Sequence, residues 1–421
     1  MKTPPQIPAL FVRNFGPIKT GFEENDGFLY FPDITVFCGP QGSGKSTLAK
    51  LYSTCSWIEK NVFRNRGLTK RTLLDMASFR SSIAWQGLDD YFQTETEIVF
   101  RGRYLTFRYA LGKLTSVATA EDDSYSVPKI LYMPAERNIA SVVRDAPGIK
   151  TLPQPLQELI VEFEVAKRQI PFLRLPVNGF AFRFDRQKNE SWIVNGREAN
   201  SSQTHLELAS SGLQSMVPLL LITEYIEKRI RSGTWKADGF GRSPSEVIHF
   251  RKVLEQLMEE SASDSSDSGS DILRFMSSNV RFVNIVEEPE QNLFPPAQDA
   301  VMNRLFEIAN EIAENQLVAC THSPYLVNHL VLSAKASELY RRLPGKESAL
   351  FRKLKKIVPP ESAIGIDRMA LYETSEDGSV SRLAVHDGVF GDDNDLNEFL
   401  GNWNKKFEKL LDIEDDLSDG N

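Results

Sequence analysis

Cysteine is scarce in this chain, which has three among its 421 residues, at positions 38, 55 and 320. Three cysteines cannot form a fully paired disulfide framework, and two of them lie in apolar runs typical of strands, so we expect reduced, buried thiols. Their spacing is not that of metal ligands. Long apolar runs are also lacking, because the longest, residues 216–222, is far shorter than the roughly 18 residues of a membrane span.

Three further absences narrow the class of protein. The N-terminus lacks the apolar segment of a secretory signal, so we predict a cytoplasmic protein that makes no contact with a membrane. No long heptad pattern is present, which excludes a coiled-coil arm. A positive net charge is lacking too: the formal net charge is −8, so a nucleic-acid surface would have to be a local patch.

A glycine-rich run follows the apolar residues 34–38 and precedes a helical pattern, which is the order strand, phosphate-binding loop, helix. Glycine lets consecutive backbone N–H groups face a phosphate without Cβ clashes. Lys45 would reach the β- and γ-phosphates, and the Ser46 hydroxyl would ligate Mg²⁺. The motif predicts that the chain binds a nucleoside triphosphate. Its predicted contacts are Gly39, Pro40, Gln41, Gly42, Ser43, Gly44, Lys45, Ser46 and Thr47.

Two consecutive acids follow a second apolar run, residues 282–286. In P-loop ATPases this position supplies one carboxylate to the Mg²⁺ shell and a second to the attacking water, a division that needs two adjacent acids. Glu287 and Glu288 meet that need, with Glu287 as a metal ligand and Glu288 as the general base. The alternative interpretation is an acidic turn after a buried strand.

Two weaker motifs accompany these runs. Ser211 and Gly212 precede an apolar helix, and a helix N-terminus with free N–H groups binds anions, although an ordinary helix cap is the alternative. His322 follows the apolar residues 317–320 and can donate a hydrogen bond to a phosphate oxygen, although a strand-end histidine is also a common structural residue. Each motif alone is weak evidence for a nucleotide site.

In this order the four motifs resemble the ABC-type ATPases of the SMC, RecF and OLD group, over about residues 10–330. The resemblance implies an α/β fold: a P-loop ABC-type ATPase head with a mixed β-sheet core and inserted helical and β-hairpin segments. It implies ATP and Mg²⁺ as cofactors and catalytic roles for Lys45, Glu288 and His322. Ser211 and Gly212 would act on the nucleotide held by a second copy, so we expect a homo-oligomer, at least a dimer.

Within that group, the runs 13–18, 287–290 and 321–324 look most like the OLD-like ATPases of bacterial anti-phage systems, such as the Septu, PARIS and retron modules. OLD proteins also carry a Toprim nuclease, whose acid pair is superficially matched by Asp393 and Asp395. We interpret these two residues as part of a polar loop and predict that nuclease activity lies outside this chain.

Three departures from the ABC pattern are present. Glu287 stands where most ABC proteins have aspartate, and Leu213 stands where transporters have glycine. No glutamine loop is assignable: Gln86 is one candidate, and Arg137 is an alternative residue near the nucleotide. The position of that loop therefore stays open.

The chain is interpreted as a single head, residues 1–421, built from four segments. Residues 156, 159, 160 and 163 are apolar at the helical period, and phenylalanines alternate at 180, 182 and 184 before the turn pair 195–196, which predicts an inserted helix and hairpin. The first segment is an N-terminal lobe with the P-loop at 1–140, and the second is the insertion at 141–205. The third, at 206–335, contains the serine–glycine signature (Ser211 and Gly212), the acids Glu287 and Glu288, and the switch histidine His322. The fourth, at 336–421, consists of C-terminal helices and strands.

The implied function is an ATP-hydrolysing molecular switch that dimerises around ATP and controls a separate effector, a nuclease or toxin encoded nearby, in an anti-phage defence system. The alternative is a RecF-like repair ATPase that binds DNA. Short basic clusters such as residues 352–356 make nucleic acid a candidate partner, and a solvated helix face is their other explanation. A transporter subunit fits less well, because Glu287 and the signature depart from that pattern. The effector, its trigger, the type of nucleic acid and the stoichiometry above the dimer stay open.

Overall fold

The structure is a computed structural model that describes residues 6–65, 74–118, 125–143, 152–177, 179–195, 202–233, 279–343, 345, 348–386, 388–391 and 406–411. The strands are β1 (Ala9–Phe15), β2 (Gly21–Phe22), β3 (Leu29–Tyr30), β4 (Ile34–Cys38), β5 (Phe92–Arg101), β6 (Leu105–Ala110), β7 (Lys113–Ala118), β8 (Pro128–Met133), β9 (Phe172–Arg174), β10 (Phe180–Asp185), β11 (Glu190–Asn195), β12 (Ser202–His205), β13 (Arg281–Glu287), β14 (Gln316–Cys320), β15 (Met369–Thr374), β16 (Ser379–Arg382), β17 (Val385–His386) and β18 (Val389–Phe390). The helices are α1 (Lys45–Asn65), α2 (Met76–Trp85), α3 (Ile139–Val142), α4 (Gln154–Gln169), α5 (Ser211–Ser232), α6 (Pro295–Glu311), α7 (Pro324–Arg342) and α8 (Ala349–Lys355).

The continuous apolar runs of the sequence form a central sheet of seven strands in the order β2-β16-β15-β4-β14-β13-β8. The five strands from β15 to β8 are parallel, and β16 runs antiparallel to β15. Every residue of β4, β13 and β14 is buried, as expected for parallel strands that are covered on both faces. The chain therefore has the mixed α/β fold that the motifs predict.

Alternation along β13 divides the interior into two cores. Val283 and Ile285 face one cluster, together with α1 and the strands of a five-stranded antiparallel sheet of order β3-β1-β5-β6-β7. Phe282 and Val286 face the other cluster, together with α4, α5, α6 and α7. Because successive strand residues point to opposite faces, one apolar run supplies both cores.

Aromatic side chains anchor α1 between the two sheets. Tyr52 stacks on Phe31 with ring centroids 3.8 Å apart, and its hydroxyl donates to the side-chain oxygen of Gln316 on β14. Phe63, in the last turn of α1, packs edge-on against Tyr104. These contacts fix the helix that begins at the glycine-rich run.

The predicted insertion contains α4 and a four-stranded antiparallel sheet of order β12-β11-β10-β9. Asn195, predicted as the first residue of a two-residue turn, is instead the last residue of β11 and pairs with Ser202, so six residues separate β11 from β12. The division into four segments stays a prediction. The central sheet draws strands from three of them. Asp393 and Asp395 lie outside the described residues.

Parallel strands bring their carboxyl ends to one edge of the central sheet. The register places Glu287 beside Cys320, Cys320 beside Phe37, and Cys38 beside Glu373. The segments that follow β4, β13, β14 and β15 therefore meet at this edge, where α/β sheets commonly bind ligands.

No helix among the described residues is long and apolar enough to cross a membrane.

Candidate nucleotide site

The glycine-rich run forms a tight loop between β4 and α1 that only glycine can build at its ends. Gly39 and Gly44 have φ angles of 132° and 105°. A Cβ at Gly39 would clash with the carbonyl oxygen of Thr374, and a Cβ at Gly44 would clash with the side chain of Ile18. At Gly42, φ is 75° and no atom lies within 4 Å of an added Cβ, so this part of the loop is open to a ligand. This cradle fits a nucleotide phosphate.

A hydroxyl pair ties the loop to β15. The Ser43 hydroxyl lies 2.6 Å from the Thr374 hydroxyl and donates to the carbonyl of Pro40 at 2.7 Å. Thr374 also donates to the carbonyl of Cys38 at 3.2 Å. No sequence pattern marks Thr374 as a neighbour of the loop, because its strand lies 336 residues from Cys38.

Lys45 lies folded back over the loop, at the first residue of α1. Its ammonium donates to the carbonyls of Gly39 at 2.9 Å and Pro40 at 2.6 Å, and the residue is 5% exposed. Burial lowers the pKa of Lys45, and the nearby Cys320, Cys38 and Glu288 oppose that shift. The ammonium can exchange two carbonyl partners for phosphate oxygens.

Glu287 ends β13 as a buried carboxylate, 8% exposed. Its Oε1 accepts a hydrogen bond from the Tyr132 hydroxyl at 2.5 Å, and burial, together with this carboxylate, raises the pKa of Tyr132 well above its ordinary value. Ser46, exposed at the start of α1, offers a second oxygen at the same sheet edge. Carboxylate and hydroxyl oxygens are the ligands that Mg²⁺ prefers, so the residue types fit this cation. Among the described residues no cluster of three or more His, Cys, Asp and Glu side chains forms a metal site.

Glu288 occupies a left-handed turn, with a φ of 43°. Its N–H donates to the carbonyl of Cys320 at 2.8 Å, which fixes the turn against the end of β14. One side-chain oxygen lies 3.9 Å from His322 Nε2, and the side chain is about a third exposed, at 35%. The predicted general base is therefore held by its backbone while its carboxylate stays accessible to water.

His322 faces Lys45 and Glu288 at the mouth of the loop. Burial lowers the pKa of His322, the Lys45 ammonium lowers it further, and Glu288 raises it. Glu290 fixes the backbone of His322: one of its carboxylate oxygens accepts hydrogen bonds from the Thr321 hydroxyl at 2.6 Å and from the His322 backbone N–H at 2.9 Å. Burial raises the pKa of Glu290. Glu290 belongs to the acidic run 287–290, and no pattern in the sequence indicates its contact with the segment of His322.

Ser211 and Gly212 begin α5 on the far side of the turn that follows Glu288. Ser211 is exposed, and the preceding Ser210 makes no side-chain cap, so the first N–H groups of the helix stay open to an anion. A Cβ at Gly212 would lie 2.6 Å from the carbonyl oxygen of Asn292. The Asn292 amide also donates to the Ser215 hydroxyl at 3.3 Å.

The structure thus brings the P-loop, Glu287, Glu288 and His322 together at one edge and places Ser211 and Gly212 against the following turn. Gln86, the candidate for the glutamine loop, follows α2, and its Oε1 is buried without a hydrogen-bond partner in the described part of the chain. The roles assigned to these residues stay predictions.

Two solved head-domain structures align with most of this chain. One, a crystal structure of an SMC head bound to the C-winged helix domain of ScpA, is 11% identical, covers 90% of this chain and 98% of its own, and has a TM-score of 0.39. The SMC head domain from Thermotoga maritima is 12% identical, covers 90% of this chain and 99% of its own, and has a TM-score of 0.37. No family model and no curated protein matches the chain.

Proposed function

We propose that this protein is an ATP-hydrolysing molecular switch that dimerises around ATP and controls a separate effector in an anti-phage defence system. The observation that supports the ATPase is the grouping of a P-loop lysine, two adjacent carboxylates and a histidine at one sheet edge. Burial and mutual charge perturb the pKa of Lys45 and of His322, as is common where charged ligands bind.

Each residue has a role in this proposal. Lys45 and the loop N–H groups bind the phosphates, and Ser46 and Glu287 hold Mg²⁺, which when bound offsets negative charge on the β- and γ-phosphates. The Glu288 carboxylate accepts a proton from the attacking water, and His322 donates a hydrogen bond toward the γ-phosphate.

The test of the ATPase compares ATP turnover and ATP affinity in the wild type and in Lys45→Ala. The variant is expected to lose nucleotide binding, because the backbone cradle alone does not offset the phosphate charge. Lys50→Ala, a lysine further along α1, is the matched control and is expected to bind ATP normally. Equal ATP affinity of Lys45→Ala and wild type in calorimetry would refute the proposal.

The dimer can be tested with two inactive variants that complement each other. Ser211→Arg disrupts the signature that would contact the partner's nucleotide and leaves the P-loop intact. Lys45→Ala disrupts the P-loop and leaves the signature intact. A mixed dimer contains one intact composite site, so a mixture is expected to hydrolyse ATP when neither variant does alone. A mixture as inactive as its components would contradict sharing of the site between subunits.

The defence role is supported by the resemblance of the runs 13–18, 287–290 and 321–324 to OLD-like ATPases. Phage plating on cells that carry this gene with its neighbouring genes measures it directly. Protection is expected with the wild type and not with Glu288→Gln. Equal protection by both would separate the defence role from ATP hydrolysis.

A DNA-binding repair ATPase is the second candidate, and an exposed basic cluster on and after α8 favours it. Arg352, Lys353, Lys355 and Lys356 are all exposed there. If the cluster contacts DNA phosphates, Lys353→Glu with Lys356→Glu should weaken binding and reduce the slope of log affinity against log salt by about 2. The control is the exposed pair Lys113→Glu with Lys188→Glu. Unchanged affinity and slope would remove this candidate.

A further inference from the structure

Arg137 is buried in the same neighbourhood, with 0% exposure, and each hydrogen bond that its guanidinium donates within the described residues goes to a backbone carbonyl. It reaches Glu287 O at 2.7 Å and Glu288 O at 2.6 Å, both at the predicted catalytic turn. It also reaches Ser215 O on α5 at 3.2 Å and Pro134 O at 3.4 Å. One side chain thus connects the end of β13 with the helix that carries Ser211 and Gly212.

A proline inside α5 explains why this helix accepts outside donors. Pro218 has no N–H, so the carbonyl of Gln214, four residues earlier, lacks its helical partner, and the ring disturbs the preceding turn. The Ser141 hydroxyl donates to Gln214 O at 2.7 Å, and Arg137 takes the next carbonyl, that of Ser215. Both donors come from the segment that follows β8.

The turn at Glu288 needs external support because its backbone is left-handed, with a φ of 43°. The Glu288 N–H is held by Cys320 O, and the Glu288 carbonyl is held by Arg137. Charge adds to this support, because the guanidinium attracts the carboxylates of Glu290, Glu288 and Glu287. Both backbone groups of the predicted base are therefore fixed.

We propose that Arg137 is a positioning residue for ATP hydrolysis, which fixes the Glu288 turn by bonding the carbonyls of Glu287 and Glu288 from an anchor on α5. This inference rests on the proposed ATPase. A lysine keeps the positive charge but cannot bond several carbonyls in the fixed geometry of a planar guanidinium. Arg137→Lys therefore tests positioning separately from charge.

Arg281 is the matched control, because it is nearly as buried as Arg137 and lies on β13, the strand that ends at Glu287. It is 2% exposed, begins the same strand β13, and donates to Ser126 O at 2.8 Å and Gln316 Oε1 at 3.2 Å. It lies six positions before Glu287, about 20 Å along the strand. Arg281→Lys disturbs an equally buried guanidinium at the opposite end of the sheet.

The first experiment measures kcat, ATP affinity and melting temperature for Arg137→Lys and Arg281→Lys. Arg137→Lys is expected to lower kcat at least about tenfold while ATP affinity changes less than about threefold, because the P-loop is intact. Arg281→Lys is expected to lower the melting temperature by a similar amount without that loss of kcat. Equal kcat values in the two variants overturn the inference.

The second experiment uses the complementing pair. Arg137→Lys is placed either on the Ser211→Arg subunit, whose Glu288 serves the intact P-loop, or on the Lys45→Ala subunit. At least about tenfold lower turnover is expected in the first arrangement than in the second. Equal turnover in both arrangements means a general structural effect and overturns the inference. Failure of the proposed function is distinguished by the wild type, which then would not hydrolyse ATP at all.

Discussion

Glu288 has a backbone conformation that glutamate rarely adopts. A non-glycine residue in the left-handed region carries about 1–3 kcal/mol of strain that its surroundings must offset. Here the carbonyl of Cys320 and the guanidinium of Arg137 bond the two backbone groups of Glu288, and its carboxylate is directed to within 3.9 Å of His322. A position where strain is kept by several separate contacts is a strong candidate for chemistry.

At this residue we predict that Glu288→Gln hydrolyses ATP at least about a hundredfold more slowly, because general-base catalysis contributes about 10² to 10⁴. ATP affinity is expected to stay near that of the wild type, so the variant accumulates as ATP-bound dimers, detectable by light scattering. The control is Glu95→Gln, an exposed acid on β5. Wild-type turnover by Glu288→Gln would exclude this residue as the base.

We predict that His322 contributes to the loss of folding stability at acidic pH. Its pKa is lowered, mainly by burial and next by Lys45, so below the unfolded pKa of about 6.5 the unfolded chain binds more protons at this site than the folded chain. The free energy of unfolding therefore falls as the pH falls from 7 to 5. His322→Gln is expected to show a smaller fall in denaturant titrations at these two pH values.

The exposed His386 provides the comparison for that measurement, since His386→Gln should keep the wild-type difference between pH 7 and pH 5. If His322→Gln loses as much stability as the wild type over this interval, the histidine does not contribute to the acid sensitivity.

At the scale of elements, β15 acts as a support for the P-loop. Thr374 contacts the loop through Ser43 and through the carbonyl of Cys38. We predict that Thr374→Val weakens ATP binding about fivefold, since a lost hydrogen bond costs about 1 kcal/mol. Thr374→Ser keeps the hydroxyl and is expected to bind ATP like the wild type. Equal weakening in both variants would point to packing and not to the hydroxyl.

Elements with a local signal were predictable from the sequence. The strand Ile34–Cys38 was predicted with its observed bounds, because an apolar run, glycines and a helical pattern follow each other directly. The helix after it has a local signal only for its start, and its end at Asn65 follows from its packing against both sheets. Tertiary contacts decide such boundaries.

Contacts between distant segments could not be predicted. Arg137 was noted only as a residue near the nucleotide, and its bonds to Glu287 and Glu288 span 150 and 151 residues. Glu290 meets His322 from 32 residues away. A side-chain donor to a backbone carbonyl leaves no pattern in sequence, because every residue offers the same carbonyl. The candidate reactive groups can therefore be named from local sequence patterns, whereas the residues that contact their backbone cannot.

At the scale of the whole molecule, the central sheet is assembled from remote parts of the chain. Strand β4 lies between β14 and β15, so its neighbours come from the last third of the sequence. We predict that a chain ending at Arg342, which lacks β15 and β16, does not bind ATP although its P-loop is complete. Calorimetry checks this, and co-expression with residues 348–421 is expected to restore binding. ATP binding by the shortened chain alone would contradict the prediction.

This strand order also determines when β4 can pair with its neighbouring strands during synthesis. Cys38 and Thr374 are 336 residues apart, and at about 5–20 residues per second the ribosome needs on the order of tens of seconds to deliver the second after the first. Strand β4 has two unpaired edges until β14 is synthesised and one until β15 follows, and an unpaired apolar strand is prone to aggregation. Shielding of β4 during synthesis is therefore expected to reduce aggregation, and the P-loop, among the first motifs to be translated, is among the last parts to be completed.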